Sequence, residues 1–208
     1  GCAVSPDGDM VYVASQAGGI SVIDACSNTV VRNLAIPAAA LAFSPDGRVL
    51  YAVSTDDGSL SCILVSSGAV IRSISAGPRP HGIAVNNEGT RIYVSSLEDG
   101  LVRVFEADTL TMTGSIPVTE AGDAIRDLAM SIDGSLLYAL SSSFCKLTVI
   151  DSRTNAVLDS RCYLSEDWAR DCHIAVSPDG ERIVVTDTLQ SLEPLTIYMI
   201  DSSTLDVL

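Results

Sequence analysis

Ser44-Pro45-Asp46-Gly47-Arg48-Val49-Leu50-Tyr51-Ala52-Val53-Ser54 joins a tight turn to a strand. Pro45 presets φ near about −65°, Asp46 can accept hydrogen bonds from its own downstream backbone, and Gly47 supplies the positive φ that closes the turn. The apolar run from Val49 to Val53 carries no charge and contains β-branched and aromatic members, the composition of a strand buried on both faces.

Versions of this module return along the chain. Ser5-Pro6-Asp7-Gly8 precedes a strand at 10–15, Asn86-Asn87-Glu88-Gly89 one at 91–96, Ser131-Ile132-Asp133-Gly134 one at 136–141, and Ser177-Pro178-Asp179-Gly180 one at 182–187. The turn glycines at 8, 47, 89, 134 and 180 are spaced by 39, 42, 45 and 46 residues. Self-similarity at such a period marks a repeat array.

Each unit reads as four short strands; in the second they are 41–44, 49–54, 60–65 and 70–75, and the last unit closes with 196–201 and 205–208. Four-stranded antiparallel units of this length are propeller blades. The prediction is therefore all-β: one β-propeller domain over 1–208, with five four-stranded blades at about 1–39, 40–80, 81–124, 125–170 and 171–208. Every unit begins and ends in phase, so no strand is left to be shared between the first and last units. Those two are expected to meet face to face, or to leave an open arc that self-associates with another chain.

The third strand ends in an acid at Asp24, Glu106, Asp151 and Asp201, each just ahead of the next turn. A carboxylate there accepts backbone N–H groups, and a structural role is expected for these acids as for Asp7, Asp46, Asp133 and Asp179.

The 208 residues are 47% hydrophobic, and no apolar run is long enough to span a bilayer, so membrane insertion is not expected. The net charge of −14 is uneven: residues 1–104 hold 9 acidic and 6 basic side chains, residues 105–208 hold 17 and 6. That balance repels phosphate backbones and excludes general nucleic-acid binding. The chain starts at Gly1, within a strand-like segment, and reads as a processed or trimmed piece, so the lack of a signal peptide says nothing about compartment.

The pattern in residues 3–31, Ala-Val-Ser-Pro-Asp-Gly, Val-Tyr-Val-Ala-Ser, Ile-Ser-Val-Ile-Asp and Asn-Thr-Val-Val, resembles the YVTN-type β-propeller repeat of bacterial and archaeal surface and periplasmic proteins, and is similar to lactonase-like propellers. The resemblance covers the whole chain. It implies a secreted, periplasmic or cell-surface location, and because such propellers commonly have seven blades it offers, as the alternative fold, a five-blade part of a larger ring. The matching residues are turn and core residues, so no activity is carried over.

In a propeller the loops between units and those between second and third strands share one rim, where ligands usually bind at the mouth of the central channel. Aligning first strands on Ala3, Ala42, Ala84, Ala129 and Ala175 puts Gly1, Ala40, Gly82, Asp127 and His173 in one ring around that mouth. His81, Arg126 and Cys172 precede this ring by one residue. The candidate ligand-binding residues are thus His81, Arg126, Asp127, Asp171 and His173, with Arg79 and Trp168 nearby. The arginines would engage an anionic group, the aspartates hydroxyls or a cation, and Trp168 would stack; both histidines can change charge near neutral pH.

His81, His173, Asp127, Asp171 and Cys172 include ligand types that suit a divalent metal, but at no recognised spacing, and neither a metal site nor another cofactor is assigned. No nucleophile elbow, P-loop, dinucleotide fingerprint or Cys-x-x-Cys-His is present in the sequence. Catalytic residues are therefore unassigned, and enzymatic activity is not the favoured reading. Of the six cysteines, Cys162 and Cys172 end one unit and begin the next, and are the candidate disulfide. Three functions follow: a binding or interaction propeller for a small polar ligand or a protein partner, a lactonase-like or other hydrolase using rim His, Asp and Arg, and a purely structural surface module.

Overall fold

The hydroxyl–carboxylate turn is the local unit of the architecture. In the computed structural model, which describes residues 1–163, 171–188 and 196–208, Ser44 Oγ donates to Asp46 Oδ1 (2.6 Å) and accepts from Val49 N (3.0 Å). Asp46 Oδ1 also accepts from Arg48 N at 3.1 Å, and Gly47, at φ 70°, donates to the Ser44 carbonyl. The same bonds recur at Ser5 with Asp7, Ser131 with Asp133 and Ser177 with Asp179. In the third unit the Asn86 side chain takes the serine's part and accepts from Thr90 N and Arg91 N. Each turn thereby fixes where the first strand stops and the second starts.

The strands so delimited are β1 (Cys2–Val4), β2 (Met10–Ser15), β3 (Gly19–Asp24) and β4 (Thr29–Leu34) in the first blade, and β5 (Ala40–Phe43), β6 (Val49–Ser54), β7 (Ser59–Leu64) and β8 (Val70–Ser75) in the second. The third blade holds β9 (Pro80–Val85), β10 (Arg91–Ser96), β11 (Leu101–Glu106) and β12 (Met112–Pro117), and the fourth β13 (Ile125–Met130), β14 (Leu136–Ser141), β15 (Lys146–Asp151) and β16 (Val157–Cys162). β17 (Asp171–Val176), β18 (Arg182–Thr188) and β19 (Thr196–Asp201) form the fifth. All pairings are antiparallel between sequence neighbours, which gives the predicted five-bladed propeller. The strand expected at 205–208 is reduced to a single bridge between Val207 and Ile200.

Turns from third to fourth strand share a second device. The amide of Asn28, Gly68, Leu110, Asn155 or Leu205 donates to the carbonyl four residues earlier, and each of these residues has φ between 53° and 68°. Asn and Gly suit that conformation; Leu110 and Leu205 adopt it because their side chains are held in the core. Asp24, Asp151 and Asp201 accept two backbone N–H groups and a hydroxyl apiece, the structural part expected of them.

Burial follows strand order: β6, β10 and β14 are buried over five of six residues, whereas β16 is exposed throughout. Four apolar cores lie between consecutive blades. Tyr51, Val53 and Leu60 meet Ile83, Ile92 and Phe105, and Leu140, Leu147 and Val149 meet Ile174, Ile183 and Val185. Each buried Ile or Leu contributes about 1.5–3 kcal/mol. Among the described residues no such core joins the fifth blade to the first, and no strand pair there packs as extensively as the inner strands of other neighbours.

Arginine side chains tie the outer edges together. Arg72 donates to the Thr109 carbonyl (2.5 Å) and Arg32 to that of Ser67 in the next blade, and Arg161 bonds Asp206 at 2.8 Å. Gly114 stands in the third blade where β4 and β8 carry Arg32 and Arg72, and there Arg91, from β10, reaches the Ser152 and Arg153 carbonyls instead.

Two outcomes test this account. Gly8→Ala should destabilise by about 1 kcal/mol through φ alone, since an added Cβ meets nothing within 4 Å. Gly100→Ala should cost more, because its Cβ would stand 2.5 Å from the Thr119 carbonyl oxygen; equal chemical-denaturation midpoints for the two variants would refute the distinction. Secondly, the Ser131 hydroxyl, then Ser135, hold the Asp133 carboxyl down at about 2, and Asp7, Asp46 and Asp179 are lowered in the same way. Folded values below unfolded ones mean that this stabilisation is complete above the ordinary carboxylate range and is lost as pH falls through about 4 to 2. Denaturation midpoints measured across that window should fall less steeply for Asp133→Asn than for the parent.

Candidate functional site

The inner strand of every blade is paired so that one alanine faces the middle of the second strand: Ala3 with Tyr12, Ala42 with Tyr51, Ala84 with Tyr93, Ala129 with Tyr138, and Ala175 with Val184. This register brings Gly1, Ala40, Gly82, Asp127 and His173 to the wall of one central cavity of about 750 Å³. Val13, Leu41, Ile83 and Leu128 also border it, the last three with side chains buried in the cores between blades. The first strands supply most of this wall, with Val13 and Ala14 of β2 beside them.

The polar side is built by the third, fourth and fifth blades. Gly82 lets them approach: a Cβ at that position would lie 2.8 Å from Ser95 Oγ and 3.1 Å from Asp127 Cα. The closeness places His81 Nδ1 2.7 Å from the Arg126 carbonyl oxygen. A carbonyl only accepts, so Nδ1 carries the proton and Nε2 is the ring's acceptor, on a side chain that lines the cavity. Burial pushes the His81 imidazolium below its ordinary value, against the opposing Arg126 carbonyl bond, and keeps the ring neutral at pH 7.

Asp127 is partly committed to the fold. Its Oδ1 accepts from Leu128 N (2.9 Å), and its Oδ2 accepts from Ile174 N across the blade junction (3.2 Å). His173 Nδ1 stands 3.5 Å from the same Oδ2, with the imidazole side chain 62% exposed and the carboxylate 26% exposed. The wall thus presents a neutral, partly buried imidazole, a guanidinium, and a solvent-facing imidazole beside a carboxylate.

Of the residues expected at the mouth, His81, Arg126, Asp127 and His173 come together. Arg79 does not join the wall: it is exposed, at φ 40°, in the loop before β9. Trp168 lies outside the described residues, and for Asp171 only the backbone, paired with Thr188, is described. The expected partnership of Cys162 with Cys172 is corrected. Cys162 is exposed on the outermost strand, whereas Cys172 is buried on an inner one with its sulfur 2.9 Å from that of Cys145. Among the described residues no three His, Cys, Asp or Glu side chains form a metal-binding group.

Sequence reasoning missed the part played by Gly82, because a close approach between residues of different blades leaves no local pattern.

Residues 11–130 match the cytochrome D1 heme domain family. Protein NirF of Stutzerimonas stutzeri is 30% identical over 134 residues, covering 61% of this chain and 34% of that protein. The seven-bladed β-propeller protein Rv1057 of Mycobacterium tuberculosis is 26% identical over 128 residues, covering 59% and 32%. The chain therefore spans about a third of the length of these relatives. Among solved structures, a chain of Kuenenia stuttgartiensis hydrazine synthase superposes with a TM-score of 0.81 at 24% identity, over 97% of this chain and 62% of that one, a likeness of fold. With a propeller fold throughout and more than half of its length matched by one family, this chain belongs to the cytochrome D1 heme domain family.

Proposed function

We propose that the chain is a binding propeller whose central cavity takes an anionic, heme-like tetrapyrrole, with a secreted, periplasmic or cell-surface location. The observation that carries the reading is His81. Its Nδ1–H is fixed on a backbone carbonyl, burial favours the neutral ring, and Nε2 is thereby the acceptor of a residue that lines the cavity. A histidine whose other nitrogen is so oriented is the usual arrangement for a metal ligand.

The other wall residues fit the same group. Val13, Ala14 and Ala40 on the wall suit a largely apolar macrocycle, about 750 Å³ lies within the range of small-molecule sites, and Arg126 supplies a guanidinium for a carboxylate substituent. When bound, such a group would supply an iron centre able to exchange ligands and electrons. His81 would hold it, Arg126 would orient it by charge, and the His173–Asp127 pair would bind or move a proton beside it. Membership of a heme-domain family supports a ligand-carrying propeller in preference to a purely structural module.

The His173–Asp127 pair favours one other reading, a hydrolase in which His173 acts as the base and Asp127 orients it; turnover of a lactone panel that is abolished in His173→Ala would establish it.

Titration with hemin, followed by the Soret band, should saturate at one equivalent. His81→Ala should weaken binding by roughly tenfold or more, the scale on which ligand-shell changes act. Protons compete with iron for Nε2, so affinity should drop as pH falls below the ordinary histidine range of about 6.5. An unchanged hemin spectrum, or equal binding by His81→Ala, would reject the assignment.

A further inference from the structure

Where the second strand passes to the third, three blades place a glycine at positive φ: Gly19 (80°), Gly58 (71°) and Gly100 (68°). The fourth blade places Cys145 there, at φ 44°, at the end of a 3-10 turn (Ser143–Cys145). A side chain in that conformation is strained and persists only where its surroundings hold it. Cys145 has no exposed surface, and its Sγ is directed across the blade junction to Cys172 of β17, itself 1% exposed, at 2.9 Å. Leu147 of the fourth blade and Ile174 of the fifth lie in the same apolar core. The sulfur is what this side chain adds over the glycine of the other blades.

We infer that Cys145 and Cys172 are a redox site, oxidised to a disulfide that staples the fourth blade to the inner strand of the fifth. With a low-molecular-weight disulfide such as oxidised glutathione as oxidant, the Cys145 thiolate attacks one sulfur and expels a glutathione thiolate. The Cys172 thiolate then attacks the Cys145 sulfur of the mixed disulfide and expels the second. The protein thiols lose two electrons and two protons, and two molecules of reduced glutathione form. Because both sulfurs are shielded by the core, exchange takes place as the chain folds or when the junction opens, and the finished bond is protected from solvent thiols. The bond would close 26 intervening residues, 146–171, into a loop, a span over which a cross-link restricts the unfolded chain substantially.

The test uses the whole chain, refolded with and without glutathione disulfide. Alkylation followed by peptide mapping without reductant should find the Cys145 and Cys172 peptides joined and lacking two hydrogens, with Cys162 alkylated. Addition of a phosphine reductant should lower Tm by roughly 5–15 °C. That shift should vanish in Cys145→Gly, which gives the turn the residue the other blades use and so keeps the fold, and persist in Cys162→Ser. Alkylation of both Cys145 and Cys172 after oxidative refolding, a Cys162–Cys172 peptide, or a reductant-dependent Tm shift retained in Cys145→Gly would each overturn the inference.

Discussion

A strand buried on both faces cannot be satisfied by the sheet it belongs to, and the whole molecule follows from that constraint. β6, β10 and β14 have apolar side chains above and below the sheet, so each needs another sheet against each face. Stacking the units radially supplies those faces in turn, and the four apolar cores are the result. The first and last blades lack a core between them among the described residues, so the cohesion of the array runs along the chain rather than around the ring.

Side chains that appear unremarkable singly gain meaning from this stacking. Eleven of the twelve basic residues are arginines, and several of them serve as ties that reach carbonyls or a carboxylate in the neighbouring blade. A guanidinium offers several donors in a fixed plane and keeps its charge, which suits it to capping the free carbonyls of a turn. The tight turns between first and second strands also touch across blades: a Cβ on Gly89 would meet the Pro45 ring at 3.0 Å.

The cavity is polar on one side only. His81, Arg126, Asp127 and His173 belong to the third, fourth and fifth blades, while Val13, Ala14 and Leu41 come from the first two. Asp127 illustrates how far this polarity also serves the fold: both carboxylate oxygens receive backbone N–H groups, one of them across the blade junction.

The sequence by itself determined the blade. Turn glycines at a near-constant spacing, a serine or asparagine two residues ahead of a carboxylate, and an uncharged β-branched run are local requirements of backbone conformation and hydrogen bonding, legible because each is met within about ten residues. The alignment on Ala3, Ala42, Ala84, Ala129 and Ala175 agrees with the observed strand register, because antiparallel register propagates from the turn. Only the tertiary structure decided that Arg79 stands away from the wall, that the last four residues make one bridge rather than a strand, and that the sulfur beside Cys172 belongs to Cys145. Those outcomes depend on how neighbouring blades approach, which is set by contacts such as that between Gly82 and Asp127, 45 residues apart in the chain, and no local pattern encodes them.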